Sequence, residues 1–120
     1  MKEEKFKTIQ FIRELVIYVD AQLENFPKKD IEIKNQIKSE SYEMLKLAYT
    51  ANTTSDMEYR RRALEEIIVR VKLLDFFYNL AYDKQIINQK KYLKVGVKLD
   101  DIIKYTTGWL KSISSINDDK

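Results

Sequence analysis

Apolar side chains recur along the chain at spacings of three and four residues, and the pattern restarts four times. The first block covers about residues 5–24. Ile9, Ile12, Val16, Val19 and Leu23 fall on one helical face, and Phe11, Leu15 and Tyr18 widen it. Asn25-Phe26-Pro27 ends this helix, because the residue before a proline is driven out of the α region. Pro27 is suited to open the next helix, where its missing N–H has no partner to lose.

The second block covers about residues 28–51. Ile33, Ile37, Met44, Ala48 and Ala51 share a side, with Ser41 among them. Small residues at Ser41 and Ala48 admit a close neighbour, while Ile31, Tyr42 and Tyr49 lie off the stripe. Asn52-Thr53-Thr54 is a short polar loop.

The third block, about residues 56–83, has two apolar sides. Ser55-Asp56-Met57-Glu58 fits an S-x-x-E capping box, with the Ser55 hydroxyl accepting from the Glu58 N–H. Leu64, Ile67, Ile68, Val71, Leu74 and Tyr78 form one stripe at about 100° per residue. Val69, Leu73, Phe76 and Leu80 form a second on roughly the opposite side, with Glu65, Lys72 and Asn79 on one flank and Glu66 and Arg70 on the other. No helix of a simple four-helix domain is fully surrounded. The second stripe therefore predicts a contact between subunits, with cover by loops or tail as the alternative.

Asp83 to Asn88 reads as a turn around Ile86-Ile87, and Asn88 as the N-cap of a fourth helix over about residues 89–113. Its apolar side is Tyr92, Val95, Leu99, Ile102, Ile103, Trp109, Leu110 and Ile113. Gly96 falls near that side, which predicts close helix approach there. Residues 114–120 are polar and are expected to fray. Four helices with short connections predict a single all-α domain, an antiparallel up-down four-helix bundle.

Composition narrows the chemistry. There is no cysteine and no histidine among the 120 residues. That removes thiolate metal sites and the commonest metal ligand and general base. Glu65-Glu66 and Asp100-Asp101 are neighbours in sequence and point to different sides of their helices. There is no Glu-x-x-His pair, no Gly-rich phosphate loop and no nucleophile-base set. A non-enzymatic protein without metal or cofactor is expected. No apolar run reaches the roughly 18 residues that span a membrane. The first residues lack the apolar core of a signal peptide, which leads to an expected cytoplasmic location.

The net charge of +3 is small, but it is unevenly placed. Lys84, Lys90, Lys91, Lys94, Lys98 and Lys104 face only Asp100 and Asp101 within residues 84–104, six positive against two negative, for +4. Lys90, Lys91, Lys94 and Lys98 form a ridge roughly opposite Trp109. Arg60-Arg61-Arg62 begins the third helix, with Arg70 and Lys72 further along. Such clusters supply salt-dependent affinity for phosphates, whereas a lysine-rich outer face is also an ordinary solvated surface. The eight tyrosines read as core and interface residues rather than as a platform for bases.

Three segments carry a family resemblance: Phe26-Pro27-Lys28, the helix from Arg60 to Ala81 with Leu64 and Val71-Lys72-Leu73-Leu74, and Tyr92 with Leu99-Asp100-Asp101-Ile102-Ile103 and Gly108-Trp109-Leu110-Lys111. In this order they resemble the accessory variability determinant family, four-helix-bundle accessory proteins of bacterial diversity-generating retroelements. They are also similar to the bundle proteins encoded in intervening sequences of bacterial large-subunit ribosomal RNA genes. The first resemblance implies a ring-like homopentamer that binds DNA or RNA and associates with the element's reverse transcriptase during mutagenic cDNA synthesis. Carried onto this chain, the implied nucleic-acid contacts are Arg61, Arg62, Arg70 and Lys72, with Lys90, Lys91, Lys94 and Lys98. The second resemblance implies an oligomeric protein-interaction bundle instead.

Overall fold

Four helices run alternately up and down in the computed structural model, which describes the backbone of residues 2–118 and the side chains of residues 3–113. They are α1 (Lys2–Leu23), α2 (Ile31–Thr53), α3 (Met57–Asp83) and α4 (Gln89–Asp118), with a 3-10 turn at Lys28–Asp30 before α2. No strand occurs among the described residues. Each helix packs on the next, and α4 closes back on α1, so α1 and α3 lie diagonally across the bundle and meet through side chains in the core. The bundle measures 53 × 21 × 19 Å.

The core follows the periodic stripes. Ile12, Leu15 and Val19 of α1 meet Ile37, Met44 and Ala48 of α2, with Leu64, Ile67, Val71, Leu74 and Tyr78 of α3. Val95, Leu99, Ile102, Trp109 and Ile113 complete it from α4. The most extensive packing joins α2 and α3, where the fully buried Ser41 and Ala48 keep the α2 surface low. The buried Tyr78 hydroxyl donates to Gln22 Oε1 at 2.9 Å, so the largest fully buried side chain keeps its polar end paired.

Several helix ends differ from the sequence expectation. Pro27 is extended (φ −61°, ψ 147°) and starts the 3-10 turn rather than α2 itself. The cap of α3 is Asp56 and not Ser55: its Oδ1 accepts from the N–H groups of Glu58 (3.0 Å) and Tyr59 (3.1 Å). A carboxylate at that point also opposes the positive end of the helix dipole, an advantage a hydroxyl lacks. Asn88 does cap α4, accepting from the Lys91 N–H at 2.9 Å. The helix then continues past Ile113 to Asp118, since Ser114 to Asp118 contain no glycine or proline to stop it. Of the expected frayed tail, only Asp119 and Lys120 lie outside the described backbone.

Glycine placement is also corrected. A Cβ on Gly96 meets nothing within 4 Å, whereas a Cβ on Gly108 lies 2.8 Å from Glu4 Cγ. The close approach of α1 to α4 is therefore at Gly108, one residue before the buried Trp109.

The two ends of the bundle are tied by charged groups. At one, Arg60 Nε donates to the Ala51 carbonyl at 2.7 Å and Nη2 donates to that of Thr54, satisfying carbonyls at the end of α2. At the other, Lys84 Nζ lies 3.3 Å from the buried Asp30 Oδ1, joining the end of α3 to the α1–α2 connection. Next to it, α3 ends in a Schellman motif. The Ile86 N–H donates to the Ala81 carbonyl (2.8 Å) and the Gln85 N–H to that of Tyr82 (2.9 Å). This places Gln85 in the left-handed region at φ 62°, where glycine is favoured.

Candidate nucleic-acid interface

The basic residues singled out from sequence fall into three environments. Arg70 is held inside the protein surface. Its Nη1 lies 2.8 Å and 3.1 Å from the two oxygens of Glu40 on α2, and its Nε lies 3.2 Å from Glu66 one helical turn back. Glu40 is buried, so the Arg70 charge answers a carboxylate that water cannot reach. The hydrogen bond it donates to Glu40, opposed by partial burial, raises the guanidinium above its already high ordinary value. Arg70 is thus a charged tie between α2 and α3.

Arg61 is half-buried, with Nε 3.9 Å from Glu58, a loose pairing. Arg62, Lys72, Lys90 and Lys91 are exposed and, among the described residues, pair with no carboxylate. Lys72 shares a shallow cleft between α3 and α4 with Asp75 and Asp100, so its local field is mixed.

Lys94, which is exposed, and Lys98 both reach back toward α1. Their ammonium groups lie 5.2 Å and 5.1 Å from the centroid of the Tyr18 ring, across the seam between α4 and α1. Lys98 is half-buried there. The spacing that grouped the four lysines opposite Trp109 missed this, because position 98 has turned toward α1. Tyr18 itself is partly buried, and that burial raises its hydroxyl above the ordinary tyrosine value.

The clusters also lie at opposite ends. Arg61 and Arg62 begin α3, whereas Lys90 and Lys91 begin the antiparallel α4 at the far end. From Arg62 to Asp83 the helix rises about 30 Å. That is three or more Debye lengths at physiological salt, so the two patches act as separate electrostatic sites. A single ligand touching both has to span that distance.

The second α3 stripe is uncovered in the single chain. Val69, Leu73 and Phe76 are 49%, 38% and 59% exposed, and Leu80 is half-buried. Neither a loop nor the described part of α4 lies over them. The Phe76 ring stands edge-on to Phe77 with centroids 5.5 Å apart, which holds it on the outer surface. Other apolar side chains also face outward, Phe6 and Ile17 on α1 and Leu93 and Val97 on α4, which periodicity had not marked.

Among the described residues no group of three or more acidic, histidine or cysteine side chains is placed to hold a metal ion, and no helix is long and apolar enough to cross a membrane. No family model, curated protein or solved structure matches the chain.

Proposed function

We propose that this protein is a non-enzymatic accessory protein that assembles with copies of itself through the outer face of α3 and presents basic surfaces to nucleic acid. The observation that carries the reading is the exposed run Val69, Leu73 and Phe76, continued by the half-buried Leu80, on a helix whose other side is already in the core. Covering what remains exposed of these side chains contributes about 1 kcal/mol each toward association. The resemblance to the accessory variability determinant family supplies the finer terms: a ring-like homopentamer and a reverse transcriptase as partner in mutagenic cDNA synthesis. Assembly multiplies each basic patch, so +3 per chain becomes a substantial field on the oligomer. Arg62, Lys90 and Lys91 are the best placed contacts, being exposed and unpaired among the described residues. Arg61 and Lys72 contribute less, and Arg70 serves the fold.

The test is binding of labelled single-stranded DNA and RNA at about 50 mM and 200 mM salt, with the intact protein and with Arg62, Lys90 and Lys91 all replaced by glutamate. Tighter binding at low salt that weakens about tenfold or more in the variant supports the reading. Absence of binding at low salt, or indifference to the substitutions, contradicts it.

A second reading is favoured by one observation. Arg60, Arg61 and Arg70 are all engaged within the chain, which leaves α3 with fewer free cations than its sequence suggests. On that reading the protein is an oligomeric interaction bundle of the intervening-sequence type, and its lysines are solvated surface.

A further inference from the structure

Three aromatic rings and four lysines alternate along the seam where α1 meets α4. Lys7 Nζ lies 5.8 Å from the centroid of Phe11, whose ring sits 5.4 Å from that of Tyr105, tilted by 33°. Lys104 Nζ is 5.3 Å from Tyr105, and two turns along α1 the Tyr18 ring is bracketed by Lys94 and Lys98. All three rings are half-buried: anchored in the bundle, yet open to solvent on one side. Of the cation–ring contacts among the described residues, just one, Lys38 with Tyr42 on α2, lies elsewhere.

We propose that this seam is a stacking platform for single-stranded nucleic acid. The proposal rests on the nucleic-acid reading above and adds a mode of binding to it. Phe11 and Tyr18 are separated by about 10 Å along α1, room for three stacked nucleotides at 3.4 Å each. An exposed lysine–ring contact is weaker than a base stacked on the same ring. An arriving strand therefore displaces the flexible ammonium groups from the ring faces. The bases take the rings, and the ammonium groups turn to the phosphates.

The acids of the seam decide which form of nucleic acid fits. Glu14 lies three residues after Phe11 and four before Tyr18, and Asp101 lies three after Lys98 and four before Tyr105, so both fall on the seam between the rings. With Glu4, which lies against Gly108 beyond Lys7, four lysines stand against three acids along the seam and leave +1. An unbroken rail of duplex phosphates would meet the two carboxylates at mid-seam, whereas a single strand can turn its bases inward there.

The experiment is fluorescence anisotropy with an oligothymidylate of about ten nucleotides and with a duplex of equal length. It compares the intact protein, Tyr18→Leu/Tyr105→Leu and Tyr18→Phe/Tyr105→Phe, each checked for helical content. The expected result is single-strand affinity lowered about tenfold or more by the leucine pair, preserved by the phenylalanine pair, with duplex binding unchanged. In the unsubstituted protein, the ring protons of Tyr18 and Tyr105 should shift upfield as the oligonucleotide is added, a readout that does not depend on the variants folding. Tight binding that ignores the leucine pair, with unmoved ring protons, overturns the platform and leaves the nucleic-acid reading standing. Failure of the intact protein to bind either form overturns both.

Discussion

Arg70 of α3 reaches across the bundle surface to Glu40 of α2, Nη1 to Oε2 at 2.8 Å, and the carboxylate it meets is nearly closed to water. Sequence offered Arg70 as a cation free for phosphate, and its position within the fold gives it a different task. Replacing it with alanine leaves Glu40 buried and unpaired, which is expected to cost about 2 kcal/mol or more. Adding Glu40→Leu to Arg70→Met should recover most of that loss, since it removes the orphaned charge. Urea denaturation of the single and double variants checks both statements.

Gly96 lies in open space inside α4, so Gly96→Ala should stabilise the protein by roughly 1 kcal/mol, about 4 °C in melting temperature. Gly108→Ala should gain less, because its new methyl would sit 2.8 Å from Glu4 Cγ and the Glu4 side chain would have to shift. Thermal melts of the two variants side by side separate the positions.

Gln85 carries the left-handed conformation that closes α3, at φ 62°. Gln85→Gly should therefore stabilise by up to about 1 kcal/mol, the relief of that conformation being offset in part by the greater freedom of glycine in the unfolded chain. A fall in denaturation midpoint would show that the Gln85 side chain makes a contribution beyond its backbone.

Burial raises the Tyr78 hydroxyl well above its ordinary value of 10.0, and the neighbouring Tyr18 adds to the shift. The folded state therefore resists ionisation that the unfolded state accepts. The resulting stability is complete below about pH 10 and is lost as pH rises above it, at about 1.4 kcal/mol per pH unit for one proton. Tyr78→Phe should be less stable at neutral pH, having lost the bond to Gln22, and should show a shallower alkaline decline. Denaturation curves between pH 8 and about pH 11 measure the slope.

Much of the fold was legible from the spacing of Ile12, Val19, Ile37, Leu64, Val71, Leu99 and Ile102, because a 3.6-residue period in a chain with two glycines and one proline leaves little choice of element. The chemistry of ends was harder. Ser55 and Asp56 are both good caps, and the choice between them turned on one residue of register that periodicity does not resolve. Gly96 and Gly108 look alike in sequence, and only the approach of Glu4 tells them apart. The candidate site was least legible. Whether Arg70 is free depends on Glu40, thirty residues away, and whether Lys98 faces solvent depends on how Tyr18 of another helix is turned. Sequence places Phe11 and Tyr18 on a widened first stripe and leaves Tyr105 among the eight tyrosines of core and interface, yet the (i, i+7) spacing of Phe11 and Tyr18 already puts two rings in line on one face.

The central claim is that the outer face of α3 is a seam between copies of the chain, and light scattering of the intact protein beside Phe76→Asp tests it most directly. Phe76 is 59% exposed, so the substitution spares the core of the single bundle. The account predicts an intact assembly of several 14.4 kDa chains, about 72 kDa for five, and a Phe76→Asp variant of one chain's mass with its helical content kept. A stable intact monomer, or a variant that keeps the mass of the assembly, would contradict it.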